Sequence, residues 1–113
     1  MEREKEIRWI GSAYADLLDF PSDIRRKAGF QLANVQAGLD PDDWKPFDEV
    51  GAGTREIRLR DSDGIYRVIY VAKFEEAIYV LHCFQKKTQE TGRGDKDIAT
   101  TRYRAVAHAR KAS

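Results

Sequence analysis

The chain has 113 residues, 42% apolar and 35% charged, with 20 Lys and Arg against 19 Asp and Glu. That is the balance of one soluble domain, 1–113, large enough for a core without cross-links. A single cysteine, Cys83, excludes a disulfide framework and leaves no metal-ligand spacing, so neither metal nor cofactor is expected. The longest apolar run, Ala77 to Leu81, is too short for a bilayer, and the charged opening MEREKEIRW is no signal peptide; a cytoplasmic protein with no membrane partner is expected. The charge is unevenly placed. Residues 1–53 carry 7 basic and 11 acidic groups, residues 54–113 carry 13 and 8. A basic face on a near-neutral protein is therefore available for a polyanion.

After a charged lead-in, Ile7 to Ile10 reads as a short strand, with Ile7 and Trp9 on one face and Arg8 and Ile10 on the other. Gly11-Ser12 breaks it, and Ser12 is placed to cap a short helix through Tyr14, Leu17 and Leu18. Pro21 makes a second break. Ser22 is the expected N-cap of a helix whose apolar stripe is Ile24, Ala28, Leu32, Val35 and Leu39, with Gly38 as its C-terminal stop. Arg25, Arg26 and Lys27 form its solvated outer side. Residues 40–53, DPDDWKPFDEVGAG, read as an irregular loop pinned to the core by Trp44 and Phe47.

Three strands follow. Glu56, Arg58 and Arg60 alternate with Ile57 and Leu59, the period of a strand with one face on a core. Asp61-Ser62-Asp63-Gly64 is a turn cluster ending in the residue most tolerant of positive φ. Ile65 to Lys73 is the second strand. Ala77 to Phe84 is the third, closing in Gln85-Lys86-Lys87. If Asp61 to Gly64 is a four-residue loop, Arg60 lies opposite Ile65, Leu59 meets Tyr66 and Ile57 meets Val68. On the other face Arg58 then falls opposite Arg67. Like charges directly across a ladder destabilise it. Either the two arginines splay into water or find carboxylates such as Glu56, or they converge on an anion with Lys86 and Lys87 arriving from the third strand. A slip of one residue would dissolve the pairing.

Within the third strand Cys83 reads as a small buried hydrophobe. His82 reads either as a core histidine or as a base with a suitable intrinsic pKa. The last helix, Asp95 to Ala109, carries Ile98, Ala99, Tyr103 and Val106 on one edge and Lys96, Arg102, Arg104 and Arg110 outside. The order is β-α-α-β-β-β-α. It implies an α+β fold, an antiparallel sheet with helices packed on one face. The opposite face, with Arg58 and Arg67, is then partly open.

The segments Glu56-Ile57-Arg58-Leu59-Arg60, Tyr66-Arg67-Val68-Ile69-Tyr70 and Tyr79-Val80-Leu81-His82-Cys83-Phe84-Gln85-Lys86-Lys87-Thr88-Gln89 resemble the RelE/ParE superfamily of toxins from bacterial toxin–antitoxin pairs. The phage-derived, HigB-like branch is the most similar, and the resemblance runs from Ile7 to Arg104. It implies a RelE-like fold and a metal-free endoribonuclease that cuts messenger RNA on the ribosome. It also implies a cognate antitoxin, often a helix-turn-helix protein. On the matching positions it implies catalytic roles for Arg58, Arg67, Lys86 and Lys87, with His82 the candidate histidine and Tyr103 the one tyrosine toward the C-terminus. Arg55, Arg60, Gln85 and Arg102 are further candidates for RNA contact. Two alternatives remain: a ParE-like gyrase inhibitor without nuclease activity, which shares the fold but not the need for the basic set, and a non-catalytic RNA- or ribosome-binding module, which would use the same residues.

Overall fold

The computed structural model describes residues 4–86 and 91–112. The chain is α+β. Its elements are β1 (Glu6–Trp9), α1 (Ala13–Leu18), α2 (Ser22–Gln36), β2 (Trp44–Pro46), β3 (Thr54–Arg60), β4 (Ile65–Val71), β5 (Ala77–Lys86) and α3 (Arg93–Ala112). The five strands form one sheet in the order β1-β5-β4-β3-β2.

The central hairpin has the register its turn length predicts. Arg60 faces Ile65, Leu59 faces Tyr66, Arg58 faces Arg67 and Ile57 faces Val68. The turn is closed by Asp61, whose carboxylate accepts the backbone N–H groups of Asp63 (2.8 Å) and Gly64 (2.9 Å). Gly64 does not use positive φ. The side chain of Asp61 does the work assigned to glycine.

Three features of the sheet differ from the sequence expectation. A fourth pairing exists, because Trp44–Pro46 forms β2, antiparallel to β3, inside the segment read as irregular. Pro46 is tolerated there because β2 is an edge strand. β1 runs parallel to β5, so the sheet is mixed. Finally, helices cover both faces rather than one. Leu17 of α1 and Ile24, Ala28, Leu32 and Val35 of α2 pack on Ile57, Val68, Tyr70, Ile78 and Val80. Ala99 and Val106 of α3 pack on Ile69, Val71, Tyr79 and Leu81 of the other face, with Phe47 and Val50. A sheet apolar on both sides needs cover on both.

A bulge in β5 sets which residues share that second face. Ile69 faces His82 but Tyr70 faces Val80, so Leu81 is the extra residue. Before the bulge Ile78 and Val80 point to α1 and α2; after it Cys83 takes that side. Phe84 and Lys86 are thereby aligned with Arg67 and Ile65.

The helix ends also depart in detail from expectation. Ser22 is the first helical residue and Pro21 holds the cap position. Ser12 precedes α1, but its hydroxyl donates to the Asp16 carboxylate instead of a backbone group. α2 ends as predicted at Gly38, with φ 86°. The N–H of Leu39 reaches Asn34 O (2.9 Å) and that of Gly38 reaches Val35 O (3.0 Å), a Schellman closure. Leu39 therefore lies beyond the helix, 60% exposed, and is not part of the stripe. Arg25, Arg26 and Lys27 are exposed. α3 begins two residues earlier than expected and runs three further.

Candidate anion site on the second face of the sheet

The floor of the site is the Arg58–Arg67 pair. Directly opposed residues of a ladder share a face, so both point to the side roofed by α3. Arg67 is buried; Arg58 keeps a side chain 38% exposed. Lys86 comes onto this face from β5 and is also buried. Lys45 comes from β2, opposite Glu56. Four cations from four strands thus converge on one patch, and Arg60 lies on the same face at the exposed hairpin end.

The counter-charge is Glu56, a carboxylate that is 0% exposed. Its Oε1 lies 3.4 Å from Arg67 Nε and 3.7 Å from Lys45 Nζ, as ion pairs without hydrogen-bond geometry. Its Oε2 accepts a hydrogen bond from the Thr91 hydroxyl at 2.7 Å. Arg67 donates through Nη1 to its neighbour's carbonyl, Tyr66 O (3.0 Å). Arg58 receives weaker help, with Asp43 Oδ1 at 3.9 Å. Among the described residues, these two carboxylates face four cations.

Burial lowers the pKa of Arg67, with Glu56 opposing and Arg58 and Arg60 adding to the drop. It stays charged, since guanidinium starts so high. Lys86 is also lowered, first by burial and then by the Arg67 charge; Glu56 opposes, while Lys45 and Arg58 reinforce. Lysine starts close enough to neutrality for such a shift to matter chemically.

The other sequence candidates are distributed as follows. His82 is on the same face, two pairs beyond Phe84, but it is buried, stacked on Phe84, with Nε2 2.8 Å from Asp95 Oδ1 at the start of α3. Its Nδ1 is buried without a partner among the described residues. Arg55 is on the opposite face, over the Trp44 ring at 4.0 Å and paired with Asp40 at 2.9 Å. Trp44 is thus covered by a side chain. Gln85 also faces that side, opposite Tyr66. Arg102 braces α3, donating to Leu81 O (2.8 Å) and Ser12 Oγ (3.0 Å). Tyr103 donates to Ala52 O (2.8 Å), beside the start of β3 and away from the arginine pair. Lys87 lies outside the described residues, as do Thr88 and Gln89. Burial pushes the Cys83 thiol up to about 12, which suits a packed hydrophobe.

Sequence reasoning missed Lys45 and Thr91 and gave Glu56 only a passing role. Nothing in the local pattern marks Lys45, because it reaches the site through a short edge strand inside a Pro-containing loop. Among the described residues no group of His, Cys, Asp or Glu is placed to hold a metal ion, and no helix is long and apolar enough to cross a membrane.

No curated protein matches the chain. The family model described as phage-derived protein Gp49-like matches residues 15–104, which include all the described side chains of the patch. The chain therefore belongs to the phage-derived Gp49-like family, a RelE/toxin-like family.

Proposed function

We propose that this protein is the toxin of a type II toxin–antitoxin pair, of HigB-like kind, and acts as a metal-free endoribonuclease on messenger RNA at the ribosome. The observation that supports this reading is the convergence of Arg58, Arg67, Lys86 and Lys45 on one patch, two of them directly opposed at a cost to the hairpin. An anion bound there repays that cost.

In such a reaction the ribose 2′-oxygen attacks the adjacent phosphorus and loses its proton to a base. The P–O bond to the 5′-oxygen breaks, and that oxygen takes a proton from an acid. The products are a 2′,3′-cyclic phosphate and a free 5′-hydroxyl. Arg58 and Arg67 stabilise the charge on the pentacoordinate phosphorus, a task that suits planar guanidinium donors. Lys86, with its lowered pKa, takes the proton-transfer role. His82 is assigned no proton transfer, because Nε2 is engaged by Asp95 and Nδ1 is buried. An antitoxin then neutralises the protein by laying carboxylates against this basic face or by blocking its entry to the ribosome.

The test is primer extension on cellular messages after brief induction of the wild type, Arg67→Ala and the more exposed Arg58→Ala. New 5′ ends inside coding regions, lost in both variants, support the reading. Growth arrest with no new ends would replace it with gyrase inhibition or simple RNA binding. DNA breaks distinguish these two.

A further inference from the structure

Glu56 is the one carboxylate among the buried polar residues described. Burying a carboxylate is costly, and a buried ion pair generally gains little over apolar side chains of the same size. Stability alone gives no reason to put one here, directly across from the fully buried Ile69. The reason lies in what Glu56 touches. Lys45 approaches it from β2, Arg67 from β4 and the Thr91 hydroxyl from the segment before α3. The other described charges around the patch are Arg58 and Arg60 on β3, Lys86 on β5 and Asp43 before β2.

The guanidinium of Arg67 is thereby divided. Nε is turned to Glu56 and Nη1 to Tyr66 O, while Nη2 donates to no described residue. We propose that Glu56 is the positioning residue of the anion site: by holding the inner edge of Arg67 it leaves the Nη2 corner as the part that meets the RNA phosphate, beside Arg58. This rests on the nuclease reading. Glu56 does not touch substrate. It acts through Arg67, and it also limits the site's net positive charge.

The roles of alignment and charge separate experimentally. Glu56→Gln keeps the shape and removes the charge; Glu56→Asp keeps the charge and shortens the reach. The wild type, both variants, Arg67→Ala and Glu56→Gln/Arg67→Ala are compared after melting curves have fixed the folded fraction. Two quantities are read: cleavage of a defined message on translating ribosomes, and affinity for a 2′-O-methyl oligonucleotide, which cannot be cleaved, as a function of salt.

Cleavage per folded molecule is expected to fall about 10–100-fold in Glu56→Gln and Glu56→Asp, the scale of a small misplacement of a catalytic group. Affinity is expected to hold in Glu56→Asp and to rise in Glu56→Gln, with a steeper salt dependence from the lost negative charge. In the Arg67→Ala background Glu56→Gln is expected to change cleavage by less than about twofold, because the effect travels through Arg67. A merely structural role would lower affinity and rate together. Wild-type cleavage in Glu56→Gln, or an undiminished loss in the Arg67→Ala background, would overturn the proposal. A wild type that binds but never cleaves would overturn the nuclease reading alone; additive effects of the two residues on affinity would then overturn the role of Glu56 as well. A wild type that neither binds nor cleaves overturns both.

Discussion

Replacing Arg67 with methionine removes one partner of a buried ion pair whose side chains are 4% and 0% exposed. Breaking such a pair typically costs about 3–5 kcal/mol, because the surviving charge is left desolvated. Here Glu56 keeps the Thr91 hydroxyl and Lys45 at 3.7 Å, and Arg58 and Lys86 lose a repulsive neighbour, so the low end applies. For 113 residues the unfolding entropy is about 0.24 kcal/mol per degree, so a loss of about 3 kcal/mol lowers the melting temperature by about 12 °C. Replacing both partners with apolar residues, Glu56→Leu with Arg67→Met, should restore most of that loss. Thermal unfolding followed by circular dichroism, with and without the second change, reads both. If Arg67→Met melted within about 3 °C of the wild type, the pair would not be a desolvated ion pair, and the account of the patch built on it would fail.

Lys86 should make stability depend on alkaline pH. Its folded pKa is lowered, so between that value and the ordinary lysine value the unfolded chain binds more protons, and this group's contribution to stability rises with pH through the window. Tyr66, Tyr70 and Tyr79, whose pKa values are raised, act the other way, so melting curves from neutral to alkaline pH should show the wild type gaining on Lys86→Met rather than a rise in absolute terms. His82→Asn should keep message cleavage within a few-fold of wild type, since Lys86 carries the proton; abolished cleavage in a folded variant would return the base to His82. Gly51→Ala should cost about 1–3 kcal/mol, because the new Cβ would overlap the Tyr103 ring, and Tyr103→Ala should relieve most of that clash; melting temperatures of the single and double variants decide it.

Much of the central hairpin was legible from local rules. A four-residue turn and strict alternation are enough to oppose Arg58 and Arg67, because side-chain period and loop length act over a few bonds. The stripe of α2 from Ile24 to Val35 and its glycine stop were legible for the same reason, whereas Leu39, counted in the stripe, lies past the stop. The face covered by α3 and the parallel partner of β1 were not, since both depend on tertiary contacts with β5 that no local pattern encodes. Glu56 shows the limit most clearly. Its alternation with Ile57 and Leu59 reads as a solvent-facing residue, yet α3 and the segment before it close over that face and bury it completely.

By itself, then, the amino-acid sequence determined an α+β chain, the hairpin register and two arginines in direct opposition. Whether Lys86 would join them was decided by the tertiary structure. Simple alternation from Ile78 and Val80 would send Lys86 to the α1–α2 face. The extra residue at Leu81 inverts the remainder of β5 and turns Phe84 and Lys86 to the arginines. A bulge is a compromise between two strands packed between two helical layers, and neither strand's own sequence specifies it.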